Sequence, residues 1–205
     1  MGLQNFLMEH KDDWEEILDK EPYCLKWNKW KGFVSFKYNQ IRSDFSNPIV
    51  REARGAVFVE NTWECASRGF DKFFNYAEPN ASAIDWSTAR VMEKVDGSLM
   101  RIFYWGGEWY LITNSGIDAY TAPTGDINYP TFGNIFEAGL RNLGYKSLKD
   151  FCNKLNKCRT YMFELVSPYT RVVIPYESIG IYYLGERRMV DYQEFYCPSA
   201  FPEFC

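Results

Sequence analysis

The first apolar pattern along the chain has helical spacing. Between residues 2 and 19, large apolar side chains recur mostly at intervals of three or four, and Pro22 interrupts the pattern soon afterwards. This spacing places apolar residues on one face of a helix that packs against a core. The sequence therefore predicts a helix over residues 2–19.

After Pro22 the pattern changes to short, β-rich runs that are separated by polar turns. Strands are predicted over residues 33–38, 55–60, 63–67, 99–105, 108–113, 160–166, 171–174 and 179–184. Gly106-Gly107 between two of these runs is typical of a hairpin turn. Helices are predicted over 132–143 and 147–155, with Ser147 as the cap of the second. Mostly antiparallel strands with a few helices at one side predict an α+β fold.

Length and composition favour one packed domain. The chain has 205 residues, of which 46% are hydrophobic, and no repeat or Pro/Ser-rich linker divides it. The sequence has neither an N-terminal signal segment nor an apolar run of about 18 residues, so we expect a cytoplasmic protein without membrane contact. Six cysteines without a CxxC pair and a single histidine argue against a zinc site.

Charge and aromatic content leave nucleic-acid chemistry open. A formal net charge of −4 excludes a strongly basic, purely electrostatic nucleic-acid binder. A local basic groove can nevertheless lie on an acidic protein. Aromatic residues make up 19% of the chain, which is high for a soluble protein. We expect most of these rings in the core and the remainder to be available for stacking on bases.

The stretch around Lys94 carries the clearest chemical signal. In Lys94-Val95-Asp96-Gly97-Ser98, we expect a strand to lead into the lysine and Asp96-Gly97 to make a tight turn. A lysine attacks phosphorus only when its amine is unprotonated, which requires partial burial or neighbouring positive charge to lower its pKa. Gly97 would let the backbone approach a bound nucleotide closely. Taken alone, Asp-Gly is also the commonest surface turn.

Three further blocks accompany this motif in the same order along the chain. They are Glu52-Ala53-Arg54-Gly55, the segment Ser67 to Asn75 with Lys72-Phe73-Phe74, and Phe163-Glu164-Leu165-Val166-Ser167-Pro168. Together with the lysine motif they resemble the covalent nucleotidyltransferases, the superfamily of DNA ligases, RNA ligases and mRNA capping enzymes. Within it, the chain is most similar to the phage-type RNA ligase 1 family, and the resemblance covers about residues 40–190.

The resemblance implies a fold and an activity. The fold is an ATP-grasp-like nucleotidyltransferase (adenylylation) domain over residues 1–205, with mainly antiparallel sheets and flanking helices. The activity is ATP-dependent RNA ligation for RNA repair, in which catalytic Lys94 becomes a lysyl-AMP. The AMP then passes to an RNA 5′-phosphate, which is sealed to a 3′-hydroxyl. The reaction implies ATP with Mg²⁺ or Mn²⁺, and a bacterial or phage-infected cytoplasm. The sequence assigns no metal ligand.

The resemblance also implies a set of nucleotide-binding residues, which comprises Arg54, Lys72, Phe74, Glu93, Lys94, Gly97 and Glu164. Arg54 and Lys72 would contact phosphates or the ribose, and Glu164 would accept its hydroxyls. Glu93 would lie near the adenine edge. Either Phe74 or Tyr183 would stack on adenine, and Arg171 and Arg187 would contact RNA phosphates.

The chain departs from the family's pattern in two places. Ser115 stands before Gly116, where relatives carry a lysine or arginine. The family's closing E-G-hydrophobic-V and K-x-K strands are absent between Arg188 and Cys205, so the domain is expected to be C-terminally incomplete. Either the missing strands lie on another polypeptide, or this is a truncated form, or the fold closes in another way. An open sheet edge would favour a partner chain or self-association that supplies them.

Alternative functions follow from these departures. The chain could be a nucleotide- or RNA-binding remnant, or one half of a split ligase that needs a partner chain. A DNA ligase or a GTP-using capping-type nucleotidyltransferase is a further alternative.

Overall fold

The computed structural model describes residues 1–197, 199 and 201–204. Over that part of the chain, the strands form two antiparallel sheets, each covered by its own helices. The strands are β1 (Leu25–Trp30), β2 (Phe33–Tyr38), β3 (Val57–Val59), β4 (Cys65–Ser67), β5 (Ser98–Trp105), β6 (Glu108–Thr113), β7 (Arg159–Val166), β8 (Gly180–Arg188) and β9 (Glu194–Phe195). The helices are α1 (Gly2–Glu9), α2 (Trp14–Asp19), α3 (Pro48–Glu52), α4 (Phe132–Asn142), α5 (Leu148–Cys152) and a 3₁₀ turn at Pro202–Phe204. The predicted α+β class is confirmed.

The first sheet has the strand order β1-β2-β3-β4 and packs against α1, α2 and α3. Asn47 caps α3 by accepting the backbone N–H of Ile49 at 2.9 Å, and Pro48 at the first helical position needs no partner. The single helix predicted over residues 2–19 is instead two helices, broken at residues 10–13. These four residues are polar, so they have nothing to bury at the break.

The second sheet has the order β6-β5-β7-β8-β9 and packs against α4, α5 and the C-terminal 3₁₀ turn. Ser147 caps α5 as predicted, because its hydroxyl accepts the N–H of Asp150 at 3.2 Å. Phe136, Phe151 and Phe163 are fully buried where the helices meet the sheet. Most predicted strands are confirmed, but residues 171–174 form a loop.

The two sheets meet face to face through a small aromatic and aliphatic cluster of Phe33, Val57, Ala66, Phe103 and Ile112. Two glycines make the contact close. A Cβ at Gly55 would lie 2.1 Å from the carbonyl oxygen of Asn114, and one at Gly116 would lie 2.3 Å from the Cβ of Ser35. Only glycine fits at either point, so these two positions set how closely the sheets approach.

An irregular connection over residues 68–97 joins the two sheets. Residues 82–94 of it are exposed throughout and contain no strand. The prediction of a strand that leads into Lys94 is therefore wrong. Strand β5 begins four residues after Lys94, at Ser98. This connection contains Lys94 and ends at Gly97, directly before β5.

Two further observations concern the cysteines and the helices. Cys24, Cys65, Cys152, Cys158 and Cys197 are free thiols, and Cys205 lies outside the described residues. Among the helices in the described ranges, none combines the length and the apolar character that a membrane crossing requires.

Candidate active site

Glu164 lies at the centre of the candidate site. It stands on β7 opposite Leu99 of β5 and Tyr182 of β8. Leu99 shares a face of β5 with Phe103, which packs on the first sheet, so Glu164 also faces the cleft between the sheets. Burial raises the pKa of Glu164, and the Gly97 N–H and the charges of Lys94 and Arg54 partly offset that rise. Arg54, Lys94 and Glu164 are far apart in sequence, and the two cations thus lie within electrostatic range of the Glu164 carboxylate.

Gly97 is required for a reason that the sequence did not show. Its N–H donates to Oε1 of Glu164 at 3.1 Å. A Cβ at this position would lie 2.4 Å from the carbonyl oxygen of Leu165 on the neighbouring strand. Close packing of the Lys94 loop (residues 94–97) against β7 therefore explains why glycine is needed at position 97 without any bound nucleotide.

Asp96 fastens the Lys94 loop to the loop between β7 and β8. Its Oδ2 accepts the N–H groups of Val173 and Ile174, each at 2.7 Å, and its own N–H donates to the Tyr176 hydroxyl at 3.2 Å. The N–H groups of Ile174 and Val173 hold the pKa of Asp96 below its usual value. These side-chain contacts replace the ladder that a strand at residues 171–174 would have made. In the sequence, the Asp-Gly dipeptide had marked Asp96 as a turn residue.

Lys94 itself is exposed. The partial burial expected for a nucleophilic lysine is therefore wrong for the described residues taken alone. A bound nucleotide would have to complete the enclosure of the amine.

Arg54 lies on the first-sheet side of the cleft. Its guanidinium stacks 4.4 Å from the ring centre of Phe73 and donates to the carbonyl oxygen of Asp71 at 3.3 Å. Stacking on a ring leaves other donors of the planar fork free for oxygen-rich ligands. The charge of Arg54 acts on the Glu164 carboxylate, and its contact with the ribose or phosphates stays a prediction.

Arg101 is a site-supporting residue that the sequence did not single out. It is fully buried on β5 and donates from Nη2 to the carbonyl oxygen of Gly55, next to Arg54. Burial without a carboxylate partner lowers its pKa to about 9, and it remains charged at neutral pH. In the sequence, an arginine in the middle of an apolar strand looks like a residue on the solvent face of that strand. Only the packing shows that Arg101 is buried.

Lys72 and Phe74 form a second group beside Arg54. The Nζ of Lys72 donates to the carbonyl oxygen of Phe73 at 2.9 Å and lies 4.9 Å from the Phe74 ring centre. Both line a groove of about 270 Å³ together with Arg51 and Tyr76. Phe74 is thus open to a ligand on one side.

Three other predicted residues have different roles or none. Tyr183 is buried in the core against Phe201, which excludes it as an adenine-stacking ring. Arg187 is buried, donates to the carbonyl oxygen of Gly69 and pairs with Glu194, so it is structural and does not face RNA. Glu93 is exposed on the connection.

The exposed Arg171 completes the predicted set of RNA contacts. Its Nε donates to the carbonyl oxygen of Val173 at 3.0 Å, on the loop that Asp96 holds. The predicted contact of Arg171 with an RNA phosphate stays a prediction.

A divalent metal would find few protein ligands here. Within the described residues, no group of three or more histidine, cysteine, aspartate or glutamate side chains could hold an ion. Asp96 and Glu164 are the carboxylates next to Lys94. One or two carboxylates plus nucleotide phosphates and water suit Mg²⁺, so the residues fit an ion that arrives with its nucleotide.

The raised pKa of Glu164 gives a testable pH dependence. Its folded pKa lies above the ordinary value of 4.5, so its ionised form disfavours the folded state, and this cost grows as pH rises from about 4.5. Glu164→Gln keeps an oxygen that accepts the Gly97 N–H and removes the charge. We expect the variant to melt about 2–4 °C above the parent chain at pH 7 and equally with it near pH 4. Calorimetry at both pH values measures this, and a higher melting temperature at both would contradict it.

Comparison with known proteins identifies the family of the chain. A family profile described as RNA ligase matches residues 52–203. A protein of Autographa californica nuclear polyhedrosis virus, named as a bifunctional polynucleotide kinase/RNA ligase, is 30% identical over 203 residues, which cover 93% of this chain and 29% of that protein. RNA ligase 1 of bacteriophage TS2126 is 30% identical over 151 residues, or 70% of this chain and 36% of the relative. An RNA ligase of Rhodothermus phage RM378 is 27% identical, covering 89% and 48%.

The chain therefore spans less than half the length of each of these relatives. The profile match extends over most of the chain and includes the Arg54, Lys94 and Glu164 segments. The chain belongs to the phage-type RNA ligase 1 family.

Proposed function

We propose that this chain is the nucleotidyl-transfer part of an ATP-dependent RNA ligase, with residues 1–205 in its adenylylation domain. The observation that carries the proposal is the hydrogen bond from the Gly97 N–H to the partly buried Glu164 at 3.1 Å, which joins the Lys94 motif to β7. The charges of Lys94 and Arg54 both act on the Glu164 carboxylate. A site with these groups has the chemistry that covalent nucleotidyl transfer needs.

In the first step, the unprotonated Lys94 amine would attack the α-phosphorus of ATP. The nitrogen–phosphorus bond forms as the bond to the bridging oxygen breaks, and pyrophosphate leaves. Mg²⁺ or Mn²⁺ bound with the nucleotide supplies positive charge to the phosphate oxygens. Arg54 and Lys72 would hold phosphates, and Glu164 would accept a ribose hydroxyl from the opposite side of the cleft.

In the later steps, an oxygen of the RNA 5′-phosphate would attack the same phosphorus and release the Lys94 amine. A 3′-hydroxyl then attacks the RNA 5′-phosphorus and AMP leaves. Asp96 would keep the Lys94 loop in place through these steps, because it fixes that loop to the β7–β8 loop through two backbone N–H groups.

The direct experiment is incubation of the purified chain with α-labelled ATP and Mg²⁺ or Mn²⁺, followed by denaturing electrophoresis. A covalent label that moves to added 5′-phosphorylated RNA supports the proposal. Competition with GTP and comparison with 5′-phosphorylated DNA distinguish it from a capping-type enzyme and from a DNA ligase. No label from a folded sample would show that the chain alone does not perform the first step.

The exposure of Lys94 favours a second candidate, in which this chain is one part of a ligase whose site is completed by further polypeptide. A cleft that leaves its nucleophile open needs additional groups to exclude water and lower the pKa of the amine. A supplied partner segment that restores labelling to an inactive chain would support this candidate. If no partner restores it, the nucleotide- or RNA-binding remnant becomes the better explanation.

An aromatic surface beside the groove fits the proposed RNA substrate. Tyr76 and Trp86 are 74% and 68% exposed, and their ring centres lie 5.8 Å apart at an interplanar angle of 74°. Tyr76 also lines the groove that contains Arg51 and Lys72. Exposed rings beside cations provide stacking surfaces for bases and contacts for phosphates, which is how proteins bind single strands.

We expect the double variant Tyr76→Ala, Trp86→Ala to bind single-stranded RNA about tenfold to a hundredfold more weakly, because it loses base stacking. Fluorescence anisotropy of a labelled RNA measures the change. Tyr196→Ala is the matched control, since Tyr196 is also an exposed ring but lies after β9 on the second sheet. Equal affinities of the double variant and the control would refute an RNA role for this surface.

A further inference from the structure

A cavity of about 480 Å³ opens next to the Lys94 loop, where β5 begins and β6 ends. Gly97 and Ser98 line it directly after the lysine motif. The loop that follows β6 contributes Ser115, and β2 of the first sheet contributes Lys37. The cavity therefore receives side chains from both sheets and adjoins the nucleophile.

Lys37 is the one charged residue among those that line the cavity, which include no aspartate or glutamate. It is exposed, and none of the ion pairs among the described residues involves it. Its position on β2 is opposite Lys26 of β1, which pairs with Asp19 at 2.9 Å. Two lysines thus face each other across the strands, and only one has a carboxylate. Like charges in such a pair cost stability. Neither the pairing with Lys26 nor an ion pair therefore explains a lysine at position 37.

The other polar groups of the cavity are hydroxyls. Ser98, Thr113, Ser115 and Thr121 line it, and the hydroxyls of Thr113 and Ser115 lie 3.0 Å apart. Hydroxyls donate hydrogen bonds to anionic oxygens, and a lysine ammonium contributes the charge. A lone cation among hydroxyls matches a phosphate group and would repel a metal ion or a basic ligand.

We propose that Lys37 binds a phosphate group of the substrate in this cavity, and this inference rests on the function proposed above. The phosphate comes either from the pyrophosphate end of ATP or from the 5′ end of RNA. Lys37 places its charge in the same cavity as Ser115, the position at which the resemblance to the family implies a basic residue. The positive charge in the cavity thus comes from Lys37 on the first sheet and not from the position of Ser115 beside the second sheet.

The test compares Lys37→Met, which keeps the aliphatic stem, with Lys37→Arg, which keeps the charge. Lys26→Met is the matched control, because Lys26 is the neighbour of Lys37 across the strands and does not line the cavity. Calorimetric titration with inorganic tripolyphosphate and with 5′-phosphorylated RNA needs no covalent step. It therefore tests the cavity even if the chain fails to label itself with ATP. A 5′-hydroxyl RNA of the same sequence isolates the contribution of the terminal phosphate.

We expect Lys37→Met to weaken binding about tenfold to a hundredfold for one of the two ligands, and Lys37→Arg to restore most of it. Loss for tripolyphosphate assigns the cavity to ATP, and loss confined to 5′-phosphorylated RNA assigns it to the RNA end. If Lys37→Met binds both ligands as tightly as Lys26→Met, or if the unaltered chain binds neither, the inference is overturned. In either case a persisting ATP-dependent label would leave the proposed ligase function intact.

Discussion

We expect Lys94→Ala to give no covalent AMP label with α-labelled ATP under conditions in which the unaltered chain is labelled. The amine of Lys94 is the proposed nucleophile, and its motif adjoins the Gly97 N–H that binds Glu164. Removal of a covalent nucleophile removes the first step entirely. The charge of Lys94 acts on the Glu164 carboxylate together with that of Arg54. Denaturing electrophoresis with autoradiography measures the label.

Two control variants make this result specific. Lys94→Arg keeps a positive charge but not a nucleophilic amine, so we expect it to stay unlabelled as well. Lys146→Ala removes another exposed lysine, in the turn before α5, and should keep full labelling. Labelling of Lys94→Ala at the level of Lys146→Ala would place the covalent bond on another residue and reject the assignment.

The second large effect concerns stability. We expect Gly55→Ala to lower the free energy of unfolding by about 2–5 kcal/mol, because it combines backbone strain with overpacking. Gly55 has φ +74, and its new Cβ would lie 2.1 Å from the carbonyl oxygen of Asn114 and 2.6 Å from Nη2 of Arg101. Arg101 lies on β5 and Asn114 directly follows β6, so the two sheets must move apart to admit one methyl group. Urea unfolding followed by circular dichroism measures the loss.

Gly32 provides a closely matched control, because its φ is +77 and no atom would lie within 4 Å of an added Cβ. Gly32→Ala therefore carries the backbone strain without the clash, and we expect it to cost about 1–2 kcal/mol. The difference between the two variants isolates the contact between the sheets. Equal losses would mean that backbone strain alone explains Gly55 and that the close approach to Asn114 carries no energy.

Local patterns determined much of the secondary structure before any tertiary contact was known. β2 and β6 have the predicted bounds, the Gly106-Gly107 turn joins β5 to β6, and Ser147 caps α5. Each of these features depends on neighbours within a few residues, either through side-chain alternation or through a turn or cap. The motif order likewise indicated the family and the identities of Lys94, Arg54 and Glu164.

The misassigned segments depend on contacts that are distant in sequence. Residues 91–97 and 171–174 have strand-like composition, yet the Asp96 carboxylate and the Tyr176 hydroxyl bind their backbone groups in place of a ladder. The predicted contacts of Tyr183 and Arg187 failed for a related reason. Burial decides whether a ring or a guanidinium faces a ligand, and alternation along β8 does not reveal which face the helices cover.

The sequence by itself determined the family and the elements that local periodicity defines, and it predicted Lys94 as the nucleophile. Only the tertiary structure decided that Gly97 clears the Leu165 carbonyl, that Arg101 is buried behind Arg54, and that Lys37 enters the cavity beside Ser115. These features arise where two separately formed sheets pack on each other. Packing depends on pairs of residues that no local spacing relates, so the physical reason for each appears only when both partners are in place.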